Sequence, residues 1–212
     1  MRDELLTEIV NSWVVAADGQ LEDIRAAAAD ATRGSVIETY RGKSGAPFGM
    51  ITAMAAILSG TERARVGLWR EFGYVFGILW QLFNDQEDIF SGRDEDLRNG
   101  TVTYLLACAL EDAATGSRRH LLDLCAAGRR SAHARAELAR LLRAPGLLAR
   151  YRADIDGYRA EAHRILGVLG GDEAHLPVLR QLVDHAARMP LPSDPGVEPG
   201  PAPTPGLDLG VA

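Results

Sequence analysis

The chain has 212 residues, 47% of them hydrophobic, which is enough to bury the core of one domain. A net charge of −6 and a pI near 5.4 exclude a broadly basic, nucleic-acid-binding surface. The two cysteines, Cys108 and Cys125, lie in apolar stretches and point to buried free thiols rather than a disulfide or a metal pair.

Ala and Leu dominate and aromatic residues make up only 6%, a balance that favours helices. Leu5, Leu6, Ile9, Val10 and Trp13 recur at helical spacing and predict an amphipathic helix over 3–16. Asp18-Gly19 is expected to loosen it before a second helical stretch over 20–32. Ser35 with Glu38 predicts a capping box and a further helix start. Pro47 lacks a backbone donor, so a kink or break is expected just after Lys43. The apolar run Met50 to Leu58 follows. Thr61 is the expected cap of a long helix over 62–89, whose centre, Phe72 to Phe83, is apolar nearly all round and therefore buried on every side. Residues 90–101 read as a loop, with helices expected near 102–114, 117–141, 145–168 and 173–188. Arginines between Arg118 and Arg164 alternate with acidic and apolar residues and read as solvated helix faces.

Residues 1–189 thus form one helical domain. The segment 190–212 carries seven of the ten prolines and is expected to be a disordered tail. No signal peptide opens the chain, and the apolar stretches are too short or too polar to span a membrane, so a cytoplasmic protein is expected.

One polar stripe interrupts the buried helix. Gln81, Asn84, Asp85 and Asp88 fall on one face near its C-terminal end. Two carboxylates and two amides there are costly to bury unless something satisfies them. Mg²⁺ prefers carboxylate oxygens and commonly bridges to phosphate, and Asp85 and Asp88 lie on adjacent turns from which both can reach it. The alternative is an ordinary helix end entering the acidic loop of Asp94, Glu95 and Asp96. A second unusual residue is Lys43, the only lysine among 23 basic residues.

The stretch from Phe76 to Asp88 resembles the second aspartate-rich motif of the trans-isoprenyl diphosphate synthases (polyprenyl synthetases), which reads roughly G-x-x-x-Q-x-x-D-D-x-x-D. Three further segments are similar to that family's motifs in the same order. Gly19 to Asp23 resembles G-Q-x-x-D, Tyr40 to Ala46 resembles the K-T-G/A helix break, and Asp96 to Tyr104 resembles D-x-x-x-G-K-x-T. The resemblance implies an all-α, isoprenoid-synthase-type bundle around a deep cavity, here incomplete, with the N-terminal helices absent. It implies that Asp85 and Asp88, with Asn84 in an aspartate's place, ligate Mg²⁺ on an allylic prenyl diphosphate. It implies that Lys43 and Thr103 contact the diphosphate and that Gln81 lines its site, while Tyr74, Phe76, Trp80 and Phe83 are core or cavity lining.

Three departures from the family pattern bear on activity. The earlier aspartate-rich motif is missing from the residues before Gly19, Asn84 is neutral, and Thr101 stands where the G-K-x-T lysine belongs, with Arg93 and Arg98 nearby. A partner, as a homodimer or as a heterodimer with a subunit supplying the first motif, is therefore expected. A non-catalytic subunit of the same fold and a class I terpene-synthase-like cyclase are the alternatives. The absent helices also predict exposed apolar surface.

Overall fold

The computed structural model describes residues 1–171 and 175–188, and every regular element among them is a helix. The expected tail over 190–212 lies outside the described residues. No described helix is long and apolar enough to cross a membrane.

Helix α1 (Arg2–Arg25) runs straight through Asp18-Gly19 instead of loosening there. Its continuity follows from packing, because Gly19 is where α1 crosses its neighbour. The chain then turns through 26–32, where a helix was expected, and α2 (Arg33–Tyr40) begins one residue after Thr32. The box is Thr32–Ser35 rather than Ser35–Glu38: the Thr32 hydroxyl accepts from the Ser35 amide at 3.0 Å, and the Ser35 hydroxyl accepts from the Thr32 amide at 3.0 Å.

No break follows Lys43. A π-helical turn (Arg41–Gly45) carries α2 directly into α3 (Ala46–Leu58), with Pro47 in the first turn of α3. Proline's missing donor and steric demand are met by this wider turn within a continuous helix. Helix α4 (Arg63–Ser91) has Glu62 before its first residue and no side-chain cap. The Thr61 hydroxyl pairs with Ser59 at 2.8 Å instead. Gly92, at φ 76°, ends α4 in the left-handed conformation that glycine adopts without penalty.

The expected loop at 90–101 contains the short α5 (Glu95–Asn99). Beyond it come α6 (Tyr104–Asp112), α7 (Thr115–Gly128), α8 (Ala132–Leu142), α9 (Pro145–Leu169) and α10 (Leu176–Ala186). The single helix expected over 117–141 is two, because Ser131 caps a new start by accepting from Ala134 at 3.2 Å. Both cysteines are free as expected, Cys108 buried and Cys125 half-buried.

α4 is the hub, packed against α3, the π turn, α9 and α10. Leu79 and Leu82 are fully enclosed together with Tyr151, Ile155 and Leu166 of α9. On the other flank the contacts are backbone to backbone. A Cβ at Gly77 would lie 2.5 Å from the Ser44 carbonyl oxygen, and one at Gly73 would lie 2.5 Å from the Gly49 Cα. α1 crosses the π turn in the same way, since a Cβ on Gly19 would meet the Lys43 amide nitrogen at 2.4 Å.

α1 itself is turned inside out. It buries Glu8, Ser12 and Gly19, with Glu8 held by both Nε and Nη2 of Arg70 at 2.7 and 2.6 Å. Leu6, Val10, Trp13, Val14, Leu21 and Ile24 face outward, with Trp13 65% and Ile24 71% exposed. The uncovered apolar surface thus lies on α1, whereas residues 72–83 of α4, the apolar stretch that absent helices were expected to leave open, are buried or half-buried.

Gly77→Ala is expected to lower stability by roughly 1–3 kcal/mol through overpacking, despite alanine's better helix propensity. Gly67→Ala in the same helix, with open space around it, should raise stability by about 0.5–1 kcal/mol. Urea denaturation of both variants checks the pair of signs.

Candidate functional site

The glycine crossings bring three motif segments together. The π turn is pressed onto α4 at Gly77 and against α1 at Gly19, so Lys43 and Ser44 emerge between the two helices. Lys43 Nζ reaches Asp23 Oδ1, one turn beyond Gly19, at 2.9 Å, with both side chains largely buried. Ser44 Oγ donates to Gln81 Oε1 at 2.8 Å, and Gln81 Nε2 donates to Asp85 Oδ1 at 2.8 Å. The Tyr40 hydroxyl donates to Asp85 Oδ2 and accepts from the Tyr104 amide at 3.0 Å.

Asp88, one turn on, is equally engaged. Its Oδ1 accepts from the Glu95 amide and its Oδ2 from the Asp96 amide, each at 3.1 Å, so it ties the start of α5 to the end of α4. Arg93 approaches Asp88 at 3.8 Å from the surface, while Arg98 is exposed.

Asp85 and Asp88 are each only 6% exposed. Burial pushes the Asp85 carboxyl up to about 7, against the lowering effect of its bonds from Tyr40 and Gln81. Neighbouring Asp96 adds to the rise, and Lys43 opposes it. Asp96 is also raised, first by burial and then by Asp88. The Tyr40 hydroxyl is driven well above its ordinary range by burial and by Asp85. The surroundings of Asp85 and Asp96 therefore offset only part of the cost of ionising them.

Such a donor set fits a hard divalent cation. Each of the four carboxylate oxygens of Asp85 and Asp88 accepts one hydrogen bond in these pairings, which leaves lone pairs for a metal and orients the ligands by their outer partners. No group of three or more His, Cys, Asp or Glu among the described residues closes around a metal unaided. Mg²⁺ commonly completes its shell with water and phosphate.

The stripe expected on one face divides. Gln81, Asp85 and Asp88 lie together, and Asn84 points to the exposed side. Thr103 is buried as the cap of α6, its hydroxyl accepting from the Leu106 amide at 3.4 Å. Phe76, Trp80 and Phe83 stack along the other side of α4, with centroids 6.2 and 5.9 Å apart, and Phe48 meets Phe76 at 5.1 Å. Tyr74 packs under Arg41 at 4.3 Å. A cavity of about 700 Å³ between α1 and α2 is lined by Gly19, Asp23, Thr39 and Gly42 and so adjoins the lysine pair.

Sequence reasoning placed Asp23, Tyr40 and Asp96 within motif segments, and Asp96 in an acidic loop, but assigned none of them a role in the site. Tyr40 carries one available signal: it stands three residues before Lys43, on the same side of a helical turn.

Comparison with known proteins places the chain in a family and a fold. The family profile described as polyprenyl synthetase matches residues 2–142. A short chain isoprenyl diphosphate synthase of Methanothermobacter thermautotrophicus is 25% identical over 136 residues, 60% of this chain and 42% of that protein. Among solved structures, a decaprenyl diphosphate synthase from Rhodobacter capsulatus is similar at a TM-score of 0.77 and 22% identity, covering 87% of this chain and 59% of that one. A polyprenyl synthase from Caulobacter crescentus, solved with calcium and isoprenyl diphosphate, is similar at a TM-score of 0.76 and 18% identity, covering 88% and 59%. The chain thus spans 42–59% of the length of these relatives. With its motif residues converging on one end of α4 and its helical fold shared, the chain belongs to the polyprenyl synthetase family.

Proposed function

We propose that this chain acts in isoprenoid biosynthesis as a trans-prenyltransferase, binding an allylic prenyl diphosphate together with Mg²⁺. The observation that carries the reading is the pair of buried carboxylates, Asp85 and Asp88, set on one face of α4 close to the electrostatic reach of Lys43. The Caulobacter relative, solved with calcium and isoprenyl diphosphate, supports it.

Mg²⁺, when bound there, would supply positive charge to offset the negative charge of the departing diphosphate. Asp85 and Asp88 would hold it, each carboxylate oriented by its existing hydrogen bonds. Lys43 keeps two donors beyond the one given to Asp23 and presents them to diphosphate oxygens as a compact charge. Gln81, bridged between Ser44 and Asp85, keeps the π turn and the acidic face in register. Asn84 and Thr103 contribute less directly, one from the surface and the other by fixing the start of α6.

The outward apolar face of α1 belongs to the same reading. The relatives carry further chain beyond the matched part. Helices of that kind, supplying the first aspartate-rich motif from a partner subunit, would cover Val10, Trp13 and Ile24; a second copy of this chain could cover the same face without supplying that motif. A second reading, a non-catalytic subunit pairing with an active synthase, draws support from Asp88's use as an anchor for α5 and from the exposed Asn84.

Asp85→Ala should abolish Mg²⁺-dependent binding of an allylic diphosphate analogue while leaving helicity intact. Lys43→Ala should weaken that binding by roughly 1–3 kcal/mol. Calorimetric titration reads both, and binding that survives Asp85→Ala would reduce the acidic face to a helix end.

Without metal, Asp85 makes stability depend on pH. Its pKa is 3.8 ordinarily and about 7 in the folded protein, so between these values the native state keeps a proton that the unfolded chain has released. Its contribution is complete below pH 3.8 and is lost as pH rises toward 7, by up to about 1.4 kcal/mol per unit. The stability of Asp85→Asn relative to the parent should therefore climb across that interval and level off above it. Urea midpoints over the pH series measure this, and parallel curves would contradict it.

The chain alone should scatter light as more than a 22.9 kDa monomer. Val10→Glu with Trp13→Glu should lower the mass to that of one chain. A monodisperse monomeric parent would sink the partner reading.

A further inference from the structure

Tyr40 does more than fill the core. It is 1% exposed, yet its hydroxyl lies at the centre of the acidic site, a position in which a phenylalanine would fill the same space without a polar atom. Burying a hydroxyl is unfavourable unless it is bonded, and this one has two partners from different parts of the chain. It accepts from the Tyr104 amide at the start of α6 (3.0 Å), and that bond directs its single proton at Asp85 Oδ2. Its ring meets Lys43, whose Nζ lies 5.1 Å from the ring centroid. The π turn begins at the next residue, so the spacing from Tyr40 to Lys43 spans the change of helical register. One side chain thus touches both the carboxylate and the ammonium that the proposed reaction uses, and it is anchored to a third helix.

We propose that Tyr40 is the positioning residue of this site: its hydroxyl, braced by the α6 amide, fixes the orientation in which Asp85 meets a divalent cation on the diphosphate, and its ring fixes where Lys43 stands beside it. The inference rests on the prenyl-diphosphate reading given above. Gln81 holds Oδ1 and Tyr40 holds Oδ2, so with both bonds in place the carboxylate has one orientation to offer. Loss of the hydroxyl frees one oxygen to turn toward other donors. Substitution of a ligand's outer partner commonly lowers metal affinity about 10- to 100-fold.

The test is Mn²⁺ binding by the full chain in the presence of inorganic pyrophosphate, read by electron paramagnetic resonance so that no turnover is needed. Tyr40→Phe, which keeps the ring, should weaken Mn²⁺ binding about tenfold. Tyr151→Phe serves as the control. It removes another fully buried hydroxyl packed on α4, one that donates to the Leu82 carbonyl at 3.3 Å and not to Asp85, and it should leave the affinity within about twofold, well below the loss expected at Tyr40. Unchanged affinity in Tyr40→Phe, or an equal loss in both variants, overturns the positioning role. If the parent binds no Mn²⁺, or binds it equally well with Asp85→Asn, the metal reading itself fails, an outcome distinct from a parent that binds and a Tyr40→Phe that binds as well. Should Tyr40→Phe not fold, 3-fluorotyrosine placed at position 40 of the intact protein gives the second readout. Its ¹⁹F resonance should shift on addition of Mg²⁺ with pyrophosphate, and a resonance that stays put overturns the proposal.

Discussion

Three helices meet here at a separation that only glycine permits, and the site exists because of that approach. Where α1 crosses the π turn at Gly19, and where the π turn meets α4 at Gly77, a single added carbon would fall within 2.5 Å of a backbone atom. With the backbones this close, side chains one turn away are forced into each other's reach. Lys43 meets Asp23, and Ser44 meets Gln81, which in turn meets Asp85. Wider crossings would leave the same residues on three separate helices.

The π turn is the second part of this device. An ordinary α-helical path from Tyr40 into Pro47 would set the proline ring against the Lys43 carbonyl. The wider turn keeps the helix continuous and changes its register between Tyr40 and α3. Lys43 therefore projects from a locally altered backbone that is held on one side by α1 and on the other by α4. The result is a lysine fixed by its surroundings, in a chain whose other basic residues are arginines.

Charge and burial then set the chemistry. Asp85 lies where water is scarce, and its hydrogen bonds from Tyr40 and Gln81 offset only part of the cost of ionising it. Asp88 is oriented by two amides of α5, and Asp96 adds negative charge. Such a cluster favours a hard cation, and a cation bridging to phosphate would match both the acids and the nearby ammonium. α1 shows the opposite arrangement: Glu8, Ser12 and Gly19 face inward at the close crossing, and its large apolar residues are left outside.

The sequence by itself determined the helical class, the extent of α4, the acidic residues at its end and the singularity of Lys43 as the one lysine. Those features are local: periodicity, composition and spacing along one helix record them directly. It also carried Gly19 and Asp23 of the G-Q-x-x-D segment, but not their purpose. Tertiary structure alone decided that Gly19 is a crossing point, that Asp23 partners Lys43, and that Tyr40 reaches Asp85 from 45 positions away. It decided too that Asn84 turns outward while Gln81, Asp85 and Asp88 turn in, because a hundred-degree step on the same helix is enough to pass from the packed side of α4 to its open one. The outward apolar face of α1 was legible as an amphipathic pattern, but its direction was not. Periodicity shows that a helix has two faces, and only the neighbours decide which of them is inside.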